Sequence, residues 1–310
     1  MIATRAVHFA ATAMTVGSVF FGIFIATPVL QHHTAAAISF KRRIRRFIWA
    51  CLVLAVISGA IWLLLQTASM SGIPLIEALT ADVLSTVVDE TQFGEVTTIR
   101  AGLAVCLSVC LVYDRAVIVQ WIGLATAAGF VSSLAWTGHA GSTVGATGYL
   151  HLTADVLHLV TAAAWIGGLA SLIIFLATTK VRDDTSLVCN AVRRFSILGI
   201  VSVTILLLSG IANTAILVGS LHGLLATEYG RMLTLKLAMF VLMLAFAAIN
   251  RFRLAPRLAS TGNRQSPTAL DQLIRNSVIE IMFGLAILVI VGVLGTQHPA
   301  VHLVELTTYW

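Results

Sequence analysis

Residues 151–177 read HLTADVLHLVTAAAWIGGLASLIIFLA, a run in which Asp155 is the lone formally charged side chain. As a helix it would rise about 40 Å, more than the ~30 Å hydrocarbon core of a bilayer, so the stretch predicts a membrane span. Comparable apolar runs recur on both sides of it, placing spans at approximately 6–29, 46–66, 94–113, 116–136, 151–177, 196–217, 230–250 and 277–295. Composition agrees over the 310 residues: 58% are hydrophobic and 10% charged, where a soluble domain carries about 25% charge. The predicted fold is therefore all-α, a polytopic bundle of eight transmembrane helices forming one integral membrane domain over 1–310. The third span is the weakest, because Glu95 and Arg100 occupy its first two turns and only 101–113 is purely apolar. The first apolar stretch is too long for a cleaved signal peptide and is read as a span.

Charge placement sets the expected orientation. Lys41 to Arg46 (KRRIRR) lies between spans one and two, and Arg115 between three and four. Lys180, Arg182, Arg193 and Arg194 follow span five, and Arg251, Arg253, Arg257, Arg264 and Arg275 follow span seven. With eight spans all of these fall on one side, 15 of the 19 Lys and Arg residues, and the positive-inside rule makes that side cytoplasmic with both termini outside. The formal charge of +6 is thus a topology signal, and no nucleic-acid partner is expected. Residues 67–93 carry Glu77, Asp82, Asp89 and Glu90 with no Lys or Arg, and are long enough for a short helix. The glycine-rich 137–150 segment is expected to turn back without regular structure.

Seven of the nine histidines gather at or near the outer side: His8, His139, His151, His158, His222, His298 and His302. On span five, His151, Asp155 and His158 are spaced four and three apart and share a helical face. Imidazole and carboxylate suit Cu, Zn, Ni or Fe, with further ligands required from neighbouring helices; a buried hydrogen-bond network is the plainer alternative. His8 and His139 are candidates to join that site, and His298 and His302 could collect metal from a tail or be incidental. Lys236 falls at similar depth and is the expected countercharge of Asp155, unless it snorkels outward. Met232 and Met239 share its face as soft ligands or as ordinary packing, and Arg231 begins span seven. Asn213 is placed to hydrogen-bond across helices, Glu280 to pair with an inner-side arginine, and Trp165 with Gly167 and Gly168 to pack helices closely. Histidines on separate helices could instead bind haem b in an electron-transfer protein. No phosphate-binding loop, H-E-x-x-H or G-x-S-x-G motif occurs, so neither direct ATP coupling nor an enzyme is expected.

Several segments together resemble the CopD-type copper-resistance membrane protein family. They are D-x-x-H-x-x-x-x-x-x-W-x-G-G over Asp155 to Gly168, Ser209-Gly210 with Asn213, and Y-G-R-x-L-x-x-K over Tyr229 to Lys236. N-R-x-x-x-x-P over Asn250 to Pro256 and R-N-x-x-x-E over Arg275 to Glu280 complete the set. The His8 span, the basic first loop and the Gly138-His139 turn extend the likeness to the first half. The resemblance implies a multi-pass protein of the bacterial inner membrane that moves copper toward the cytoplasm, or otherwise handles it beside a periplasmic copper-binding partner. It places the function on Asp155, His158, Trp165 and Lys236, with His8 and His139 behind them. No soluble copper-binding domain is seen after span eight, so a separate periplasmic partner is expected, or none at all. A membrane partner or sensor in copper resistance is the remaining alternative.

Overall fold

The computed structural model describes residues 1–31, 34–179, 185–260 and 267–297. Among them are eight helices long and apolar enough to cross a membrane: α1 (Ile2–Leu30), α2 (Ala36–Ser71), α3 (Gln92–Val112), α4 (Val117–Thr137), α5 (Gly145–Thr178), α6 (Ser186–Val218), α7 (Glu228–Leu258) and α8 (Thr268–Leu294). The weak third span is thus one of the eight. Several helices outrun the apolar stretches that announce them. The KRRIRR segment, expected as a loop, forms early turns of α2, and Arg193 and Arg194 lie within α6. Lys and Arg are good helix formers, so a helix need not end where the hydrocarbon does. Residues 67–93 contain two short helices, Leu75–Ala78 and Ala81–Glu90. The 137–150 segment is more regular than expected: His139–Ser142 forms one helical turn, and α5 already starts at Gly145, whose φ of 73° sets the turn before it.

α1 and α5 are the central pair, with 61% and 67% of their most apolar windows buried, against 11% for α7. Their crossing is a contact of backbones. A Cβ on Gly17 would lie 2.6 Å from Gly167 Cα and 2.7 Å from Gly168 N, closer than real Cβ atoms approach anything. Small residues permit this approach, and the Ser171 hydroxyl donates to Ser18 Oγ at 2.9 Å across it. α2, α4 and α8 pack around α1, while α6 lies along α5 and α7 along α8. α6 meets α7 toward one end, where Arg251 reaches Ser196 and the residues after 254 pack on α6, leaving a crevice between them that α5 also lines.

Two helices carry π-turns, Gly22–Ala26 in α1 and Asn250–Leu254 in α7. Each is followed two residues later by a proline, Pro28 or Pro256. A proline has no N–H to give to the carbonyl four residues back and its ring crowds that carbonyl, so the helix widens locally. The Thr27 hydroxyl satisfies the Gly22 carbonyl at 2.9 Å.

The two faces of the bundle are distinct. Arg5 donates to the Gly295 carbonyl at 2.8 Å, which puts the start of α1 beside the end of α8. On the opposite face Arg45 pairs with Asp114 at 3.3 Å, setting the basic start of α2 against the α3–α4 turn.

Candidate functional site

On α5, Asp155 and His158 turn toward α6. Asn213 donates its amide to Asp155 Oδ1 at 3.2 Å, and His158 Nδ1 stands 3.0 Å from Ser209 Oγ. The Ser209 hydroxyl already donates to the Ile205 carbonyl at 2.6 Å, so it accepts from His158, which fixes the proton on Nδ1. The backbone of Leu206 also hydrogen-bonds this ring, and among the described residues no donor reaches the lone pair of Nε2. Asn213 Oδ1 is likewise buried without a donor. Lys236 of α7 acts electrostatically on both Asp155 and His158, but no ion pair within 4 Å forms. The countercharge expected for Asp155 is therefore near, while its direct partner is the Asn213 amide.

A second polar cluster sits between α1, α2, α3 and α4. His8 Nδ1 is 2.9 Å from the Ala55 carbonyl, which can only accept, so this ring also carries its proton on Nδ1. Its Nε2 accepts from Arg100 Nη2 at 2.8 Å. Arg100 further donates to the Phe130 carbonyl at 2.6 Å, Ser133 Oγ at 2.8 Å and Thr12 Oγ1 at 3.4 Å, and its guanidinium stands 4.4 Å from the Phe130 ring centre. Trp62 packs edge-on to the imidazole at 5.6 Å. Both ring nitrogens of His8 are occupied, and an arginine that looked like a flaw in span three is the centre of this network.

The structure scatters the other candidates. His151 is buried one turn from Asp155, with Nδ1 2.8 Å from Thr143 Oγ1. Met232 and Met239 pack against the smaller apolar cluster of Val218, Tyr229, Leu233, Ile290 and Leu294, and Arg231 is exposed. Trp165 is buried on α5, edge-on to Phe240 of α7 at 6.1 Å. The His139 side chain and the tail residues His298 and His302 lie outside the described residues. Among the described residues no group of three or more His, Cys, Asp or Glu stands close enough to hold a metal ion. Glu280 departs from expectation: Asn250 of the π-turn donates to Oε1, and Asn276 donates to Asn250 Oδ1 at 3.0 Å, where an arginine partner was expected. The nearest candidate, Arg251, binds Ser196 of α6 instead.

Comparison with known sequences gives consistent results across the chain. Residues 1–149 match the family described as "Copper resistance protein D-like, N-terminal domain", and residues 189–294 match "Copper resistance protein D". The chain is 28% identical to copper resistance protein D of Pseudomonas syringae pv. tomato, covering 96% of each sequence. It is 29% identical to the inner membrane protein YebZ of Escherichia coli (strain K12), covering 96% of this chain and 98% of that one. Copper transport protein CutJ of Bacillus subtilis (strain 168) shares 28% identity over 84% of this chain and 47% of its own length. No solved structure matches. With both halves matched, and with the motifs on α5, α6, α7 and α8 brought around one crevice, the chain belongs to the copper resistance protein D family.

Proposed function

We propose that this protein carries copper across the bacterial inner membrane toward the cytoplasm, and that the Asp155, His158 and Asn213 cluster is the first stop inside the bilayer. The observation that carries the reading is the Nε2 lone pair of His158, which no donor among the described residues fills, on a ring oriented by the Ser209 hydroxyl. A neutral imidazole nitrogen is a good ligand for copper, and the second-shell hydroxyl fixes its tautomer and orientation. The basic side of the bundle is taken as cytoplasmic, which puts both chain ends and the His158 cluster toward the periplasm.

A cation stripped of water in the bilayer needs compensating charge, and Asp155 supplies it. In the empty protein Lys236 is the cation nearest to that carboxylate. An arriving Cu(I) would coordinate His158 Nε2 beside Asp155 and take over the electrostatic role of the ammonium, so Lys236 both keeps the empty site neutral and competes with the ion for it. Such competition makes binding weak enough for release, a condition for any conduction pathway. Copper would arrive from a separate periplasmic copper-binding protein. Uptake of copper into proteoliposomes containing the full chain tests the reading: His158→Ala is expected to abolish most of the uptake while the protein remains folded, and unchanged uptake would remove His158 from the path.

A further inference from the structure

Below Trp165 the α6–α7 crevice widens into a cavity of about 430 Å³ bounded by Phe195, Ser196, Asn250, Ser277 and Glu280. A second cavity of about 520 Å³ shares Val192, Ser196 and Arg251 with it and reaches Asn190 and Arg193, so the space continues toward the basic ends of α6 and α7. His158 is seven residues before Trp165 on α5, about 10 Å away by helical rise. The indole therefore separates the His158 cluster from the inner cavity.

Glu280 is 2% exposed, and among the described residues its one hydrogen bond comes from Asn250. Ser277, one turn earlier on the same helix, also lines the cavity, and its Oγ is buried without a partner. Arg251, from the π-turn of α7, is the other charged residue lining the cavity, and its guanidinium is engaged by Ser196. Among the described residues the remaining neighbours add no close countercharge. Arg193 of α6 borders the adjoining cavity, and Asp271 and Arg275 of α8 are exposed. α5 contributes Asp155 and His158 only beyond Trp165, and Arg5 and His8 of α1 lie at its opposite end. An ionised carboxylate in this position would be desolvated without a cation, which is costly enough that the acid keeps its proton until another positive charge replaces it.

We propose that Glu280 is a proton-exchanging group on the cytoplasmic side of Trp165, giving up its proton through the cavity as a cation passes the indole and regaining it as the cation leaves. The carboxyl O–H bond breaks, its electron pair stays on the oxygen, and the proton passes to water in the cavity. One positive charge replaces another, so the net charge of the cavity is unchanged. The identity of the cargo rests on the copper reading above, whereas the proton exchange itself needs no copper.

Infrared difference spectra of the full chain in lipid nanodiscs, taken across pH steps without copper, address the acid directly. A protonated-carboxyl C=O band that responds to pH is expected in the wild type and in Asp155→Asn, is lost in Glu280→Gln, and returns at a shifted position in Glu280→Asp. In proteoliposomes with an entrapped pH dye, copper addition should drive proton movement that Glu280→Gln abolishes while equilibrium copper binding is retained. A pH-responsive band that survives in Glu280→Gln, or proton movement undiminished in that variant, overturns the proposal. Loss or retention of copper binding in His158→Ala is read separately, so failure of the copper reading would leave the Glu280 band in place.

Discussion

His8, buried, and His158, partly buried, both belong to central helices, both hold their proton on Nδ1, and both lean on an oxygen of the neighbouring helix. They differ at Nε2. Around His8, four helices converge and Arg100 fills the lone pair, its guanidinium reaching four acceptors. Around His158, α6 and α7 stand apart and no donor among the described residues fills the lone pair. The same side chain thus becomes mortar in one place and the proposed ligand in the other. The difference is made by the number of helices meeting it, a quantity that no local sequence pattern contains.

Substitutions can break this contrast. Arg100→Met should have the largest effect, because it strips His8 Nε2 of its donor and removes the guanidinium that ties the Phe130 carbonyl and Ser133 of α4 to α1 inside the bilayer; a loss of about 3 kcal/mol or more is expected in thermal unfolding of the purified protein. The two histidines should then cross over. His158→Ala is expected to weaken copper binding about 10- to 100-fold in equilibrium titration with little change in unfolding temperature. His8→Ala should do the reverse, lowering stability by about 1–3 kcal/mol with copper affinity unchanged; copper affinity that fell with His8 would erase the distinction. Lys236→Met removes the cation that competes for Asp155 and should tighten copper binding by about 1–2 kcal/mol while slowing turnover in the uptake assay. Asn213→Ala should be mildest, weakening binding by about 1 kcal/mol through loss of the amide that orients Asp155.

The eight spans, their two-sided charge and the polar face of α5 were legible because hydrophobic length and helical spacing are local properties. Asn213 as an interhelical donor and the small-residue crossing at Gly167 were readable for the same reason, since each residue type has few uses inside a bilayer. The partners were harder. Arg100 meets His8 across 92 positions of sequence, and nothing near either residue names the other. Charge alone suggested arginine for Glu280, but the π-turn at Asn250–Leu254 re-aims that part of α7 and presents Asn250. Pro256 was the available signal for that turn, and Pro28 for its counterpart in α1, because each lacks the N–H that regular winding requires.

The central position of α1 has a consequence for biogenesis. It leaves the ribosome well before α5 and α8, the helices that bury most of it on one side, so it must reside in the translocon or in lipid before its seat exists. Its hydroxyls are prepared for that interval: Thr15 donates to the Ala11 carbonyl and Ser18 to the Met14 carbonyl within the same helix. Arg5 and His8 are not, since their acceptors come from α8 and α2. The nascent chain therefore carries two polar groups whose insertion is completed only by later synthesis, and truncation before α8 would strand the first of them.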